Sequence, residues 1–305
     1  MRPLPNRHAL SSVTLALMLT PMRTPLFAIM ALLGCTHSVP SPRPTPATSA
    51  LSPRLPSDSM PVHDSFTVRS STLGEARLIN VHTPREYRTT NGASPRALPV
   101  LYMPDGGLDE DFPHVVRTVD SLIALGSIPP IIVVGVPNTQ RRRDLTGPTR
   151  VHSDSAIAPR VGGSAAFRRF IAEELFPEID RRYRTSGERA IIGESLAGLF
   201  IMETFLDEPA LFTHYIALDP SLWWNKGALV DSAASRIAAM APARRTLYFA
   251  TSEEPGTYVG AGRIAESLRA VPPPGLRFTY EPRPDLTHGN IFHTLKARAL
   301  VEAFR

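Results

Sequence analysis

The sequence predicts an α/β fold, a mostly parallel central sheet with helices on both faces. Three observations carry that expectation. From residue 62 onward, short apolar runs alternate with stretches of helical spacing. The apolar runs are hydrophobic at nearly every position rather than at every second one, as in strands covered on both sides. No repeat of solenoid length interrupts the alternation. Strands linked through helices in this order lie parallel, and ligands then bind beyond their carboxyl ends.

Two segments precede the alternation. Residues 1–34 contain Arg2, Arg7 and Arg23 and no acid. From Met22 the chain reads MRTPLFAIMALLGC, a basic start, an apolar run over 26–33, then Gly34 and Cys35. The run is too short to span a bilayer and reads as the core of a signal peptide. Its ending, LLGC, resembles a bacterial lipobox, so Cys35 is the expected lipidation site and mature N-terminus of an exported, envelope-anchored or periplasmic lipoprotein. An earlier apolar stretch, 13–19, is separated by Pro21 and Arg23, which makes Met22 an alternative start. Residues 35–61 carry prolines at 40, 42, 44, 46, 53, 56 and 61. Such a composition cannot bury a core and is expected to form an extended tether.

The folded domain is expected over 62–305. Residues 65–71 and 76–83 read as two early strands joined by a turn at Gly74. Buried strands follow at 98–103, 131–136, 190–192, 215–218, 247–251 and 276–280. Helical spacing falls between them at 115–125, 199–206, 260–270 and 291–304. In a further helix, Phe167, Phe170, Ile171, Leu175 and Ile179 share one face.

Charge and cysteine content exclude some functions. Without the three N-terminal arginines the formal charge falls from +5 to +2. A domain that balanced offers little electrostatic attraction to nucleic acid or an anionic membrane surface, and leaves the lipid at Cys35 as the expected membrane contact. Lys226 and Lys296 are the only lysines, so the positive charge is almost all arginine and local Arg clusters are discounted. The single cysteine excludes an internal disulfide framework and a Cys metal cluster.

The strongest chemical signal is RAIIGESLAGLF at 189–200. A short apolar strand runs directly into Gly193-Glu194-Ser195-Leu196-Ala197 and then into an apolar helix. A serine on such a turn presents its hydroxyl clear of the backbone, and the turn needs small residues two before and two after it. Gly193 and Ala197 meet that need, and Ser195 is the expected nucleophile of an α/β-hydrolase. In that fold the chain order is serine, acid, histidine. His288, after the last strand, is the expected base, with His293 as rival inside the terminal helix. For the acid, Glu254 leads, Glu253 follows, and Asp219 in Ala217-Leu218-Asp219-Pro220 stands behind both. The oxyanion hole should join the Leu196 N–H to one from the glycine-rich loop after the third strand, with Gly107 as the choice. Trp223 and Trp224 are candidates for an aromatic substrate wall, with one of them packing in the core. In the run Arg141-Arg142-Arg143-Asp144, Arg143 and Asp144 are candidates to meet an anionic or catecholate substrate.

Taken together, LPVLYMPDGG, IIVVGVPNTQRRRDLTG, the segment from Phe170 through the Ser195 turn, ALDPSLWWN and His288-Gly289 resemble the esterase family that includes esterase D and the enterochelin (siderophore) esterases. The resemblance runs from about residue 65 to the C-terminus. It implies an α/β-hydrolase fold, carboxylic-ester hydrolysis and no metal or organic cofactor. Ser195 and His288 match the family's serine and histidine. Two positions depart: Ala197 where a glycine is common, and Asp219 where many relatives have serine. Three classes of function are therefore open: ester hydrolysis through an acyl-enzyme on siderophore, aryl or acylated-sugar esters, acyl transfer as in mycolyltransferases, or binding without catalysis on a hydrolase scaffold.

Overall fold

The computed structural model describes residues 60–88 and 96–305. The signal-like segment, Cys35 and nearly all of the proline-rich tether lie outside the described residues. The described residues form one sheet of eight strands: β1 (Asp64–Ser70), β2 (Glu75–His82), β3 (Leu98–Pro104), β4 (Ile132–Val136), β5 (Thr185–Glu194), β6 (His214–Leu218), β7 (Arg245–Thr251) and β8 (Leu276–Pro282). All eight fall where apolar runs predict them. Their spatial order is β1-β2-β4-β3-β5-β6-β7-β8. β1 pairs antiparallel with β2, and β2 antiparallel with β4, while every pairing from β4 through β8 is parallel.

Side-chain alternation along each central strand feeds two cores. On one face Val100, Tyr102, Val134 and Ile191 pack with Phe167, Phe170, Phe200 and Phe205. Those four aromatics come from the helical segments between 164 and 175 and from the helix Leu196–Asp207. On the other face Leu101, Met103, Val133, Ile192 and Ile216 pack with the helices Phe112–Ala124 and His288–Phe304. The five residues expected on one face, Phe167 through Ile179, are all buried. Their helix is interrupted by a π-helical stretch, Phe170–Leu175, a one-residue adjustment that hydrophobic spacing does not reveal.

The helix Trp224–Ala238 was not legible as periodicity. Its first turn holds Asn225, Lys226 and Gly227 at positive φ, so the regular spiral begins only after them. Asn225 is fixed there by its own N–H, which donates to Asp154 Oδ2 at 2.9 Å, and by its side-chain oxygen, which accepts from the Arg150 N–H at 3.0 Å. The two tryptophans just before that turn lie at different depths, Trp224 buried and Trp223 exposed.

Candidate active site

β5 ends at Glu194 and the next helix begins at Leu196, so the strand-to-helix turn is Ser195 alone. Its φ of 60° and ψ of −119° lie outside the conformations a side-chain-bearing residue readily adopts. Hydrogen bonds at 3.0 Å lock it: Ser195 N–H donates to Leu218 O, and Ser221 N–H donates to Ser195 O. Close packing explains the flanking small residues. A Cβ at Gly193 would sit 2.6 Å from Ala197 Cβ, so one of the pair must be glycine and the other can be alanine. The hydroxyl of Ser195 lies 3.4 Å from that of Ser221.

The carboxyl ends of β6 and β7 and the loop after β8 meet beside this turn. His288 is the first residue of the terminal helix, held by a reciprocal cap in which Thr287 and Asn290 bond each other's backbone N–H groups. Its Nδ1 donates to Asp219 Oδ2 at 2.6 Å. Asp219 is fully buried, at a φ of 44°, and accepts two more hydrogen bonds from Ser252, one from its N–H at 2.8 Å and one from its hydroxyl at 2.7 Å. Burial pushes the Asp219 pKa up, but the bonds from His288 and Ser252 outweigh it and hold the group below its ordinary value. The bond to Asp219 raises the His288 pKa, opposed by partial burial and aided by the charges of Glu194, Asp219 and Glu254. With Nδ1 committed to Asp219, the ring nitrogen left to exchange a proton is Nε2.

The acid at the histidine is therefore Asp219, which corrects the ranking that placed Glu254 and Glu253 ahead of it. Both glutamates are exposed. Glu254 is the residue before the helix Pro255–Ala270, where its carbonyl accepts from Thr257 and Tyr258, and it reaches His288 only as a distant charge. His293 lies within the terminal helix, its ring 4.3 Å from that of His114.

Other expectations divide. Leu196 opens its helix directly after the nucleophile, where first-turn N–H groups have no intrahelical acceptor. Gly107 does not supply a free amide, because its N–H donates to Glu110 Oε2 at 2.7 Å. The closely packed glycine of that loop is Gly106: a Cβ there would meet Val136 N at 2.2 Å. Arg143 and Asp144 are not presented to a ligand. Asp144 is buried and accepts from Arg77 and Arg143, both at 2.6 Å, while Arg143 also holds Glu75. The arginine of the run that turns toward the site is Arg141, paired through two bonds of 2.7 Å with Asp105 in the loop after β3. Trp224 is buried and donates through Nε1 to Gly147 O at 2.8 Å, whereas 46% of Trp223 is exposed.

Ser252 carries no motif in the sequence, and Glu194 stands inside the serine motif with no signal of its own. The Glu194 side chain is largely withdrawn from solvent, and its Oε1 is buried with no hydrogen-bond partner among the described residues. Burial raises its pKa to about 7, with His288 and Arg141 pulling it down and Asp111 and Asp219 pushing it up.

The sheet order, the strained serine turn and the acid–histidine pair together define an α/β-hydrolase. Residues 70–256 match the protein family described as "Putative esterase", and the chain belongs to that family. It is 34% identical to the ferri-bacillibactin esterase BesA of Bacillus subtilis over 146 residues, 43% of this chain and 50% of that protein. It is 32% identical to the siderophore triacetylfusarinine C esterase of Aspergillus fumigatus over 174 residues, 52% of this chain and 56% of that one. The chain thus spans about half the length of the curated relatives it matches. An IroE-like serine hydrolase from Shewanella oneidensis shares its fold with a TM-score of 0.72, at 27% identity and 80% coverage of either chain.

Proposed function

We propose that this protein is a serine-dependent carboxylic-ester hydrolase that works through an acyl-enzyme, with siderophore esters as the substrate class. The observation that carries the reading is the Asp219–His288 pair assembled beside the strained Ser195 turn. His288 Nε2 takes the Ser195 proton as Oγ attacks the ester carbonyl, and buried Asp219 stays ionised, holding the ring and its positive charge. The Leu196 N–H and the helix N-terminus behind it stabilise the oxyanion. His288 then returns the proton to the departing alcohol, and water cleaves the acyl-enzyme by the same steps in reverse order. The siderophore class is supported by the Aspergillus fumigatus relative, whose name specifies a siderophore ester, and by the similarity to a ferri-bacillibactin esterase.

A fluorophosphonate probe tests the nucleophile, and hydrolysis of catecholate and hydroxamate siderophore esters tests the class. The wild type should bind one probe per chain and cleave at least one of the two ester types. Ser195→Ala should lose labelling and about a million-fold in kcat while remaining folded. Absence of labelling in the wild type would overturn the mechanism. Cleavage of simple aryl esters alone would overturn the substrate class.

A further inference from the structure

We infer that Glu194 is a positioning residue for ester cleavage that acts through His288, supplying the negative charge that balances the imidazolium as Ser195 attacks. The inference rests on the serine-hydrolase reading above and deepens it.

The placement is what makes the carboxyl available. Glu194 is the last residue of β5 and the peptide neighbour of Ser195, and its register partner across the sheet is Leu218, which directly precedes Asp219. One carboxyl oxygen is buried with no donor against it among the described residues. A buried acceptor without a partner is costly to maintain, so a group that leaves one beside a nucleophile is a candidate for a role in the chemistry. Four charged groups act on it: His288, Asp111, Asp219 and Arg141. Asp219 is held ionised, Asp111 is bonded to His114, and Arg141 is bound to Asp105. His288 is the one whose charge changes in each catalytic cycle.

The consequences follow by charge balance. While His288 is neutral, Asp111 and Asp219 favour the protonated Glu194 carboxyl. When His288 accepts the Ser195 proton, its positive charge draws Glu194 toward the carboxylate, and the proton released goes to solvent. The influence is mutual: Glu194 is among the charges that raise the His288 pKa. Asp219 orients the ring through a hydrogen bond, while Glu194 contributes charge without one. The two groups therefore titrate as a coupled pair. The imidazolium that forms on His288 is stabilised by the Glu194 carboxylate more strongly the less water lies between them.

The test is the pH profile of kcat/KM for Glu194→Gln and Glu194→Asp beside the wild type, with active sites counted by fluorophosphonate. Gln keeps the shape and removes the charge. The acid limb of Glu194→Gln should move to lower pH and report a single ionisation, and its plateau should fall on the order of ten-fold. Glu194→Asp should keep the wild-type form of the limb. In the wild type the His288 ring resonance should titrate over a span wider than one ionisation, a measurement that needs no variant. An unshifted limb in labelled Glu194→Gln, or a one-step His288 titration in the wild type, would overturn the inference while leaving the nucleophile assignment intact. A wild type that neither labels nor hydrolyses esters overturns both.

Discussion

Replacing Asp219 with Asn removes one charge and almost no volume, so its effect isolates what the carboxylate does. Three donors converge on that group: the Ser252 N–H, the Ser252 hydroxyl and His288 Nδ1. A carboxylate satisfies all three, but an amide has one acceptor oxygen and one NH2. If the oxygen keeps the Ser252 bonds, the NH2 faces Nδ1, and His288 can bond it only in the tautomer that puts the proton on Nε2. That tautomer cannot take a proton from Ser195. The backbone does not object, since Asn tolerates the φ of 44° better than most residues. Lost tautomer control and lost imidazolium stabilisation together should lower kcat about 10⁴-fold, or roughly 5 kcal/mol of barrier. Stability should fall by about 1 to 3 kcal/mol, the range for a weakened hydrogen bond to a charged buried group. Steady-state ester hydrolysis on Asp219→Asn and Glu254→Gln, with denaturant unfolding of both, measures these quantities. Glu254 is exposed and touches His288 only through distance, so its variant should stay within a few-fold of wild type. An Asp219→Asn protein within ten-fold of wild type, or a Glu254→Gln protein as impaired as expected for Asp219, would refute the assignment.

Two further outcomes are expected. Asp144→Asn removes the buried carboxylate that pairs with Arg77 at 2.6 Å, leaving Glu75 at 3.1 Å as the remaining anionic partner, and should destabilise the fold by about 3 kcal/mol in urea unfolding. Its kcat should stay near wild type, because the pair braces β2 rather than the serine turn. Intact-mass analysis of membrane-extracted protein should find Cys35 lipidated and N-terminal, and an unmodified chain retaining residues before Cys35 would exclude the anchor.

The parts of the fold legible in the sequence are those that local physics determines. Each central strand is apolar on both faces because helices cover both, and that pattern needs no knowledge of partners. Ser195 was legible for the same reason: its turn forces Gly193 and Ala197 together at fixed offsets. Arg143 and Asp144 were misread because their partners are remote in the chain. Arg77 lies 67 residues from Asp144, and nothing near either residue announces the pair. Gly107 is a glycine in the expected loop, but whether its amide is free depends on Glu110, whose carboxylate already takes it.

The acid was the instructive failure, because the discriminating features were present in the sequence. β6 and β7 are neighbours, so Asp219 and Glu253-Glu254 emerge at adjacent strand ends, and chain order alone cannot rank them. Their surroundings can. Glu254 precedes a proline that opens a helix, a place where acids serve the helix start and face water. Asp219 follows four apolar strand residues without a break and precedes Pro220, so its carboxyl had to be buried or to bend the chain. In the structure it does both, at a φ of 44° and with no exposed surface. A buried carboxylate needs donors, and the serine after β7 and the histidine that opens the helix after β8 are what the fold brings to it. The choice of acid thus follows from desolvation: the group that can orient and charge a histidine is the one that water does not reach.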